Sequence, residues 1–134
     1  MLFDKLDNSI RRSRLTGYKQ VLGKAKIPYR EEYVYIWGRD AAADVTESAD
    51  KGYYLTKALL ERTPEVTAFV CMNDAMALGA FKAIREVGKK VPDDYSIVGF
   101  DDLVFADSVD PSLTTVGLEQ YLWGKKLAAV IIFL

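Results

Sequence analysis

Histidine is absent from this sequence. That removes a Ser-His-Asp or Cys-His nucleophile, a His-ligated zinc and a neutral-pH imidazole switch. Any active site would have to be built from carboxylates, lysines or tyrosines. Cysteine is nearly absent too, and the lone Cys71 can close neither an intrachain bridge nor a Cys-rich metal site. It lies in the apolar run Ala68-Phe69-Val70-Cys71-Met72, where a buried structural thiol in a reducing compartment is expected. Neither charge is in excess: 18 basic side chains face 19 acidic ones, for a net charge of −1. A domain that neutralises many phosphates carries a clear basic surplus, so this chain is not expected to contact nucleic acid directly. The longest apolar run, Leu127 to Leu134, has eight residues where a membrane span needs about twenty. Two aspartates within Met1 to Asp7 do not fit the basic-then-apolar layout of a secretory signal. A soluble, cytoplasmic protein with no membrane partner is the expectation.

What is present is the composition of one globular domain over residues 1–134, 50% hydrophobic and 28% charged. A chain of this size buries enough surface to form a core without disulfide or metal staples. Between Ser9 and Lys26, Leu15, Tyr18, Leu22 and Ala25 recur at helical spacing, and Pro28 closes the segment. Tyr33 to Trp37 reads as a strand and residues 39–51 as a loop or helix entry. A helix follows, with Tyr54, Leu55, Ala58 and Leu59 on its apolar face and Pro64 at its end. Val66 to Met72 is a continuous apolar strand, of the kind buried on both faces of a parallel sheet. Met76, Ala80, Ala83, Ile84 and Val87 mark the next helix, stopped by Gly88 and Pro92. Ser96 to Phe100 is a third strand, Leu113 to Val116 a short fourth, and Leu118 to about Val130 a last helix. Strands alternating with helices give an α/β fold, three-layer α/β/α with a mainly parallel sheet.

Ligands of open α/β sheets sit outside the carboxyl ends of the strands. Here those ends carry Trp37, Asn73-Asp74 and Asp101-Asp102. Taken singly, each has an ordinary role: Asn73 or Asp74 as a helix N-cap, the aspartates as solvated loop residues, Trp37 as packing. Their convergence on one edge is what points to a ligand site. Arg11-Arg12-Ser13-Arg14 sets three cations at a helix start, against the macrodipole. Arg11 and Arg14 share a face there, and Arg12 points elsewhere. A guanidinium beside carboxylates suits hydroxyl pairs, carboxylates or phosphates.

Four segments in this order carry a resemblance: Ser9 to Tyr18 (SIRRSRLTGY), Thr67 to Ala80 (TAFVCMNDAMALGA), Val91 to Asp102 (VPDDYSIVGFDD) and Pro111 to Val116 (PSLTTV). Together they resemble the effector-binding domain of lactose-repressor-family transcriptional regulators, over nearly the whole chain. The resemblance implies one subdomain, the C-terminal one, of the type I periplasmic-binding-protein-like fold, with residues 117–134 beginning the return to the other subdomain. It implies a small-molecule effector, a sugar or nucleoside, and a homodimer packing through the helix after Asn73-Asp74, where Met76 and Phe81 offer an apolar patch. DNA would be contacted only through a domain absent from this chain. Carried over position by position, the effector contacts fall on Arg14, Asn73 and Asp101, with Trp37 a looser counterpart and Asp102 in support. The alternative is a sugar-binding protein of an uptake system, which typically has glycine where this chain has Asp102. A phospho-acceptor receiver would need an acid pair after the first strand and a lysine after the last, and the chain has neither. Nothing in the sequence positions a water or nucleophile for hydrolysis, so no enzyme and no cofactor is expected.

Overall fold

The computed structural model describes residues 1–6, 9–41, 43–46, 48–117 and 119–132. Its elements run β1 (Leu2–Phe3), α1 (Ser9–Lys24), β2 (Tyr35–Ile36), α2 (Ser48–Arg62), β3 (Ala68–Val70), α3 (Asp74–Glu86), β4 (Ser96–Asp101), β5 (Thr114–Gly117) and α4 (Gln120–Ile132). Leu118, the expected start of the last helix, and Phe133 and Leu134 of the apolar run lie outside the described residues.

All strand pairs are parallel. Leu2 registers with Tyr35, Phe69 with Ile97, and Gly99 with Thr115. A parallel bridge between Leu2 and Cys71, with the Met72 N–H donating to Leu2 O at 3.0 Å, joins the β1-β2 pair to β3-β4-β5. The resulting order is β2-β1-β3-β4-β5. From β1 the chain first moves outward to β2, then crosses back to β3 and proceeds the other way. With right-handed crossovers this reversal puts α1 on one face and α2 and α3 on the other.

The two faces are not covered equally. Toward α2 and α3, Phe69 and Ile97 are buried among Leu55, Leu59, Met76 and Ala80. The two helices approach closely at glycine: a Cβ on Gly79 would lie 1.8 Å from Ala49 O, and one on Gly52 2.2 Å from Met76 O. Toward α1, Val70, Val98 and Phe100 are only half-buried, and α1 has no fully buried residue. The continuous apolar strand predicted to be covered on both faces is therefore fully covered on one. Met76 and Phe81, expected to face a partner, are 0% and 6% exposed and belong to the core.

Three strands differ clearly from the sequence reading, and of these β3 covers only Ala68–Val70 within the expected Val66 to Met72. β1 was not foreseen, because two residues are too few to display an alternation. β2 is shorter than Tyr33 to Trp37, since Glu31–Tyr33 forms a single 3-10 turn. It is also an edge strand, whose Ile36 N–H is taken by Asp40 Oδ2 at 2.7 Å. A side chain satisfying that N–H blunts the edge against further pairing.

Candidate functional site

The reversal between β1 and β3 is a topological switch point, the place where open α/β sheets form a crevice at their carboxyl edge. Three segments meet there: the first turns of α1, the β3–α3 junction and the end of β4.

Arg14 links them. Its guanidinium donates through Nη1 to Met72 O and through Nη2 to Asp101 Oδ1 at 3.2 Å, and lies 3.8 Å from the centroid of the Phe100 ring. The side chains of Arg14 and Asp101 are 17% and 30% exposed, so the pair is sheltered yet reachable from solvent. The other two arginines of the run have local partners. Arg12 donates to Leu6 O at 3.2 Å, while Arg11 donates to Lys5 O and pairs with Asp4, which also holds Lys51. They tie down the segment ahead of α1 and leave Arg14 to reach the strand ends.

Asn73 takes the capping role at α3: in extended backbone (φ −151°), its Oδ1 accepts from Met76 N at 2.8 Å. Its amide NH2 remains a donor at the same edge as Arg14. Asp101 and Asp102 have φ of +106° and +54°, a left-handed pair without glycine, which stores backbone strain at the site. The turn is braced from below. The Leu103 N–H donates to Asp74 Oδ2 at 2.8 Å, the Thr115 hydroxyl to Asp74 Oδ1 at 2.6 Å, and the Asp102 N–H to Thr115 Oγ1 at 3.3 Å. Asp74 is fully buried, and only a glycine fits opposite it: a Cβ on Gly99 would lie 2.1 Å from Oδ1.

Trp37 stands apart. It follows β2, which β1 and β3 separate from β4, and three interstrand spacings amount to about 14 Å. Its ring is 6.3 Å from that of Tyr54, centroid to centroid, and half-buried. Arg14, Asn73 and Asp101 are thus brought together, while Trp37, after β2 on the same carboxyl edge, has its ring beside Tyr54 of α2. Sequence reasoning missed the Met72 carbonyl, Phe100, Thr115 and the bracing by Asp74. Gly99 in a strand interior was the available signal, since such a glycine marks a close approach.

Between α1 and the strands lies an open trough of about 900 Å³, lined by Ile10, Tyr18, Val70, Val98, Phe100 and Val116 among others, with Arg14 at its polar rim. Among the described residues, no cluster of acidic or thiol ligands is arranged to hold a metal ion. The edge offers a guanidinium, an amide, a carboxylate and a backbone carbonyl, alternating donors and acceptors suited to neighbouring hydroxyls.

A family model described as a periplasmic binding protein-like domain matches residues 1–133. The transcriptional regulator CelR of Thermobifida fusca is 33% identical over 119 residues, covering 89% of this chain and 33% of that protein. The arabinose metabolism transcriptional repressor of Geobacillus stearothermophilus is 33% identical over 132 residues, 97% of this chain and 35% of the repressor. Among solved structures, a CelR–cellobiose complex superposes with a TM-score of 0.81 at 28% identity, covering 98% of this chain and 38% of that one. The chain spans about a third of the length of the curated relatives it matches. Among the described residues, no helix is long and apolar enough to cross a membrane.

Proposed function

The chain belongs to the periplasmic binding protein-like domain family, and from that premise we propose that it is the effector-sensing part of a lactose-repressor-family transcriptional repressor, with a sugar as effector. The observation that carries this reading is the set of Arg14, Asn73 and Asp101 at the switch-point edge, joined by the Arg14–Asp101 pair. A polyol hydroxyl can donate to the Asp101 carboxylate while a neighbouring one accepts from Arg14 or the Asn73 amide. A carboxylate held by a partly buried guanidinium is already oriented, so little ordering remains to be done on binding. The matched relatives are transcriptional regulators, which favours this reading over an uptake protein and over an enzyme.

In the assembled protein, DNA is contacted by a domain outside this chain, the protein acts in the cytoplasm, and two copies associate. On the 134-residue chain by itself, α4 offers apolar surface for self-association, with Tyr121 85%, Trp123 60% and Ile131 80% exposed. Titration of the 15N-labelled chain with cellobiose, D-ribose and adenosine tests the site. Shifts confined to Arg14, Asn73, Asp101 and their neighbours are expected with a sugar, and lost in Asp101→Ala. Shifts that persist in Asp101→Ala would take Asp101 out of the site.

A further inference from the structure

Three unfavourable features sit together beneath the ligand edge: two consecutive left-handed aspartates, a fully buried carboxylate and a glycine without which that carboxylate would not fit. A carboxylate is costly to bury, and capping does not explain this one, because Asn73 already caps α3. Among the described residues Asp74 has no ion pair. Both of its oxygens reach across to other elements, Oδ2 to the Leu103 N–H just past the strained turn and Oδ1 to the Thr115 hydroxyl on β5. Thr115 Oγ1 in turn accepts from the Asp102 N–H, so the turn is gripped on both sides of Asp102 through one carboxylate.

We infer that Asp74 is a positioning residue of the ligand site: its carboxylate holds the Asp101-Asp102-Leu103 turn in the left-handed form that aims Asp101 at Arg14. For the word ligand this rests on the proposed sugar reading; the geometry itself does not. Released from Asp74, residues 101 and 102 relax toward ordinary backbone angles, and the Asp101 carboxylate swings away from the guanidinium. Adjacent residues then divide the work: Asn73 presents its amide to the ligand, and Asp74 sets the carboxylate opposite.

Two ligand-free NMR signals report this clamp, the Leu103 amide proton, displaced by its bond to a carboxylate, and the Arg14 Nη2–H, slowed in exchange by its pairing with Asp101. They are to be compared in the wild-type chain, Asp74→Asn, Thr115→Val, Thr115→Ser and the core control Leu59→Val, each then titrated with cellobiose and D-ribose. In Asp74→Asn and Thr115→Val both signals should move to the positions of unclamped groups, and sugar-induced shifts should need at least tenfold more ligand. Thr115→Ser, which keeps the hydroxyl, should restore both. Leu59→Val should lose stability while keeping clamp and affinity, a split that a merely structural role for Asp74 would not produce. A folded Asp74→Asn with both signals unchanged overturns the inference, as does equal loss of affinity in Leu59→Val. If Asp74→Asn does not fold, Thr115→Val decides by the same readings. If the wild type binds neither sugar, loss of the signals in the variants still supports the clamp and their persistence still overturns it, and only the sugar reading falls.

Discussion

Arg14 does with one side chain what a lysine could not. Its planar fork reaches Met72 O and Asp101 at once while its face lies on Phe100. Arg14→Lys should therefore abolish sugar-induced shifts while lowering stability by less than about 1 kcal/mol, as befits a pair partly open to solvent; urea denaturation and the sugar titration together check this. Cys71 behaves oppositely, as a group kept from reacting. Burial, helped by the nearby Asp74 carboxylate, pushes its thiol up to about 12 from the usual 9.0. The unfolded chain then loses the proton first, so the stability this thiol contributes is complete below pH 9 and is lost as pH rises toward 12. Between pH 9 and 10.5 the wild type should lose about 1.6 kcal/mol relative to Cys71→Ala in urea melts, the slope rising from half its limit at pH 9 toward roughly 1.36 kcal/mol per pH unit. Arg14, Asn73 and Asp101 were legible in the sequence because each stands at a strand end or helix start within a motif. The bracing role of Asp74 was not, because its partners at positions 103 and 115 become neighbours only once β4 and β5 have paired.

The helices and strands differ in how firmly they are held. α2 and α3 meet at Gly52 and Gly79, where backbone touches backbone. Gly79→Ala would drive a methyl to 1.8 Å from Ala49 O, and since neither helix can give locally, the variant should lose roughly 3 kcal/mol by urea denaturation. Gly17→Ala on α1, where a Cβ meets nothing within 4 Å, should instead gain about 0.5–1 kcal/mol from helix propensity alone. The helices and the parallel strands were readable because apolar spacing encodes a period. Strand order is not encoded in that way. Every strand end looks alike in sequence, and only the order β2-β1-β3-β4-β5 shows that Trp37 follows the edge strand rather than a central one. The unequal covering of the sheet was hidden for the same reason: Val70 and Val98 are as apolar as Phe69 and Ile97, and nothing local tells which face each helix will take.

At the scale of the molecule, the proposed site is one wall of a cleft. A pocket for a small ligand ordinarily buries 70–90% of the ligand's surface, and the edge described here can cover about half of that. The 134-residue chain should therefore bind cellobiose or D-ribose only in the millimolar range by calorimetry, since each 1.4 kcal/mol of missing contact costs about a factor of ten. Micromolar binding by a monomer would place a complete site within these residues. Sedimentation at rising concentration should show self-association through α4, reversed by Trp123→Lys, because exposed apolar surface of this kind drives association. The central place of β1 carries a further consequence, for the sequence of events in folding. β3, β4 and β5 follow one another along the chain and can pair by short-range crossovers, but Leu2 must find both Tyr35 and Cys71 and so closes the longest loops in the sheet. Because loop closure is resisted by chain entropy, the three-stranded side should form first and the opening residues dock last, as a keystone between that side and β2. Pulsed hydrogen exchange should then find the amides of Cys71 and Ser96 protected before those of Tyr35 and Met72, whose acceptors are Met1 O and Leu2 O.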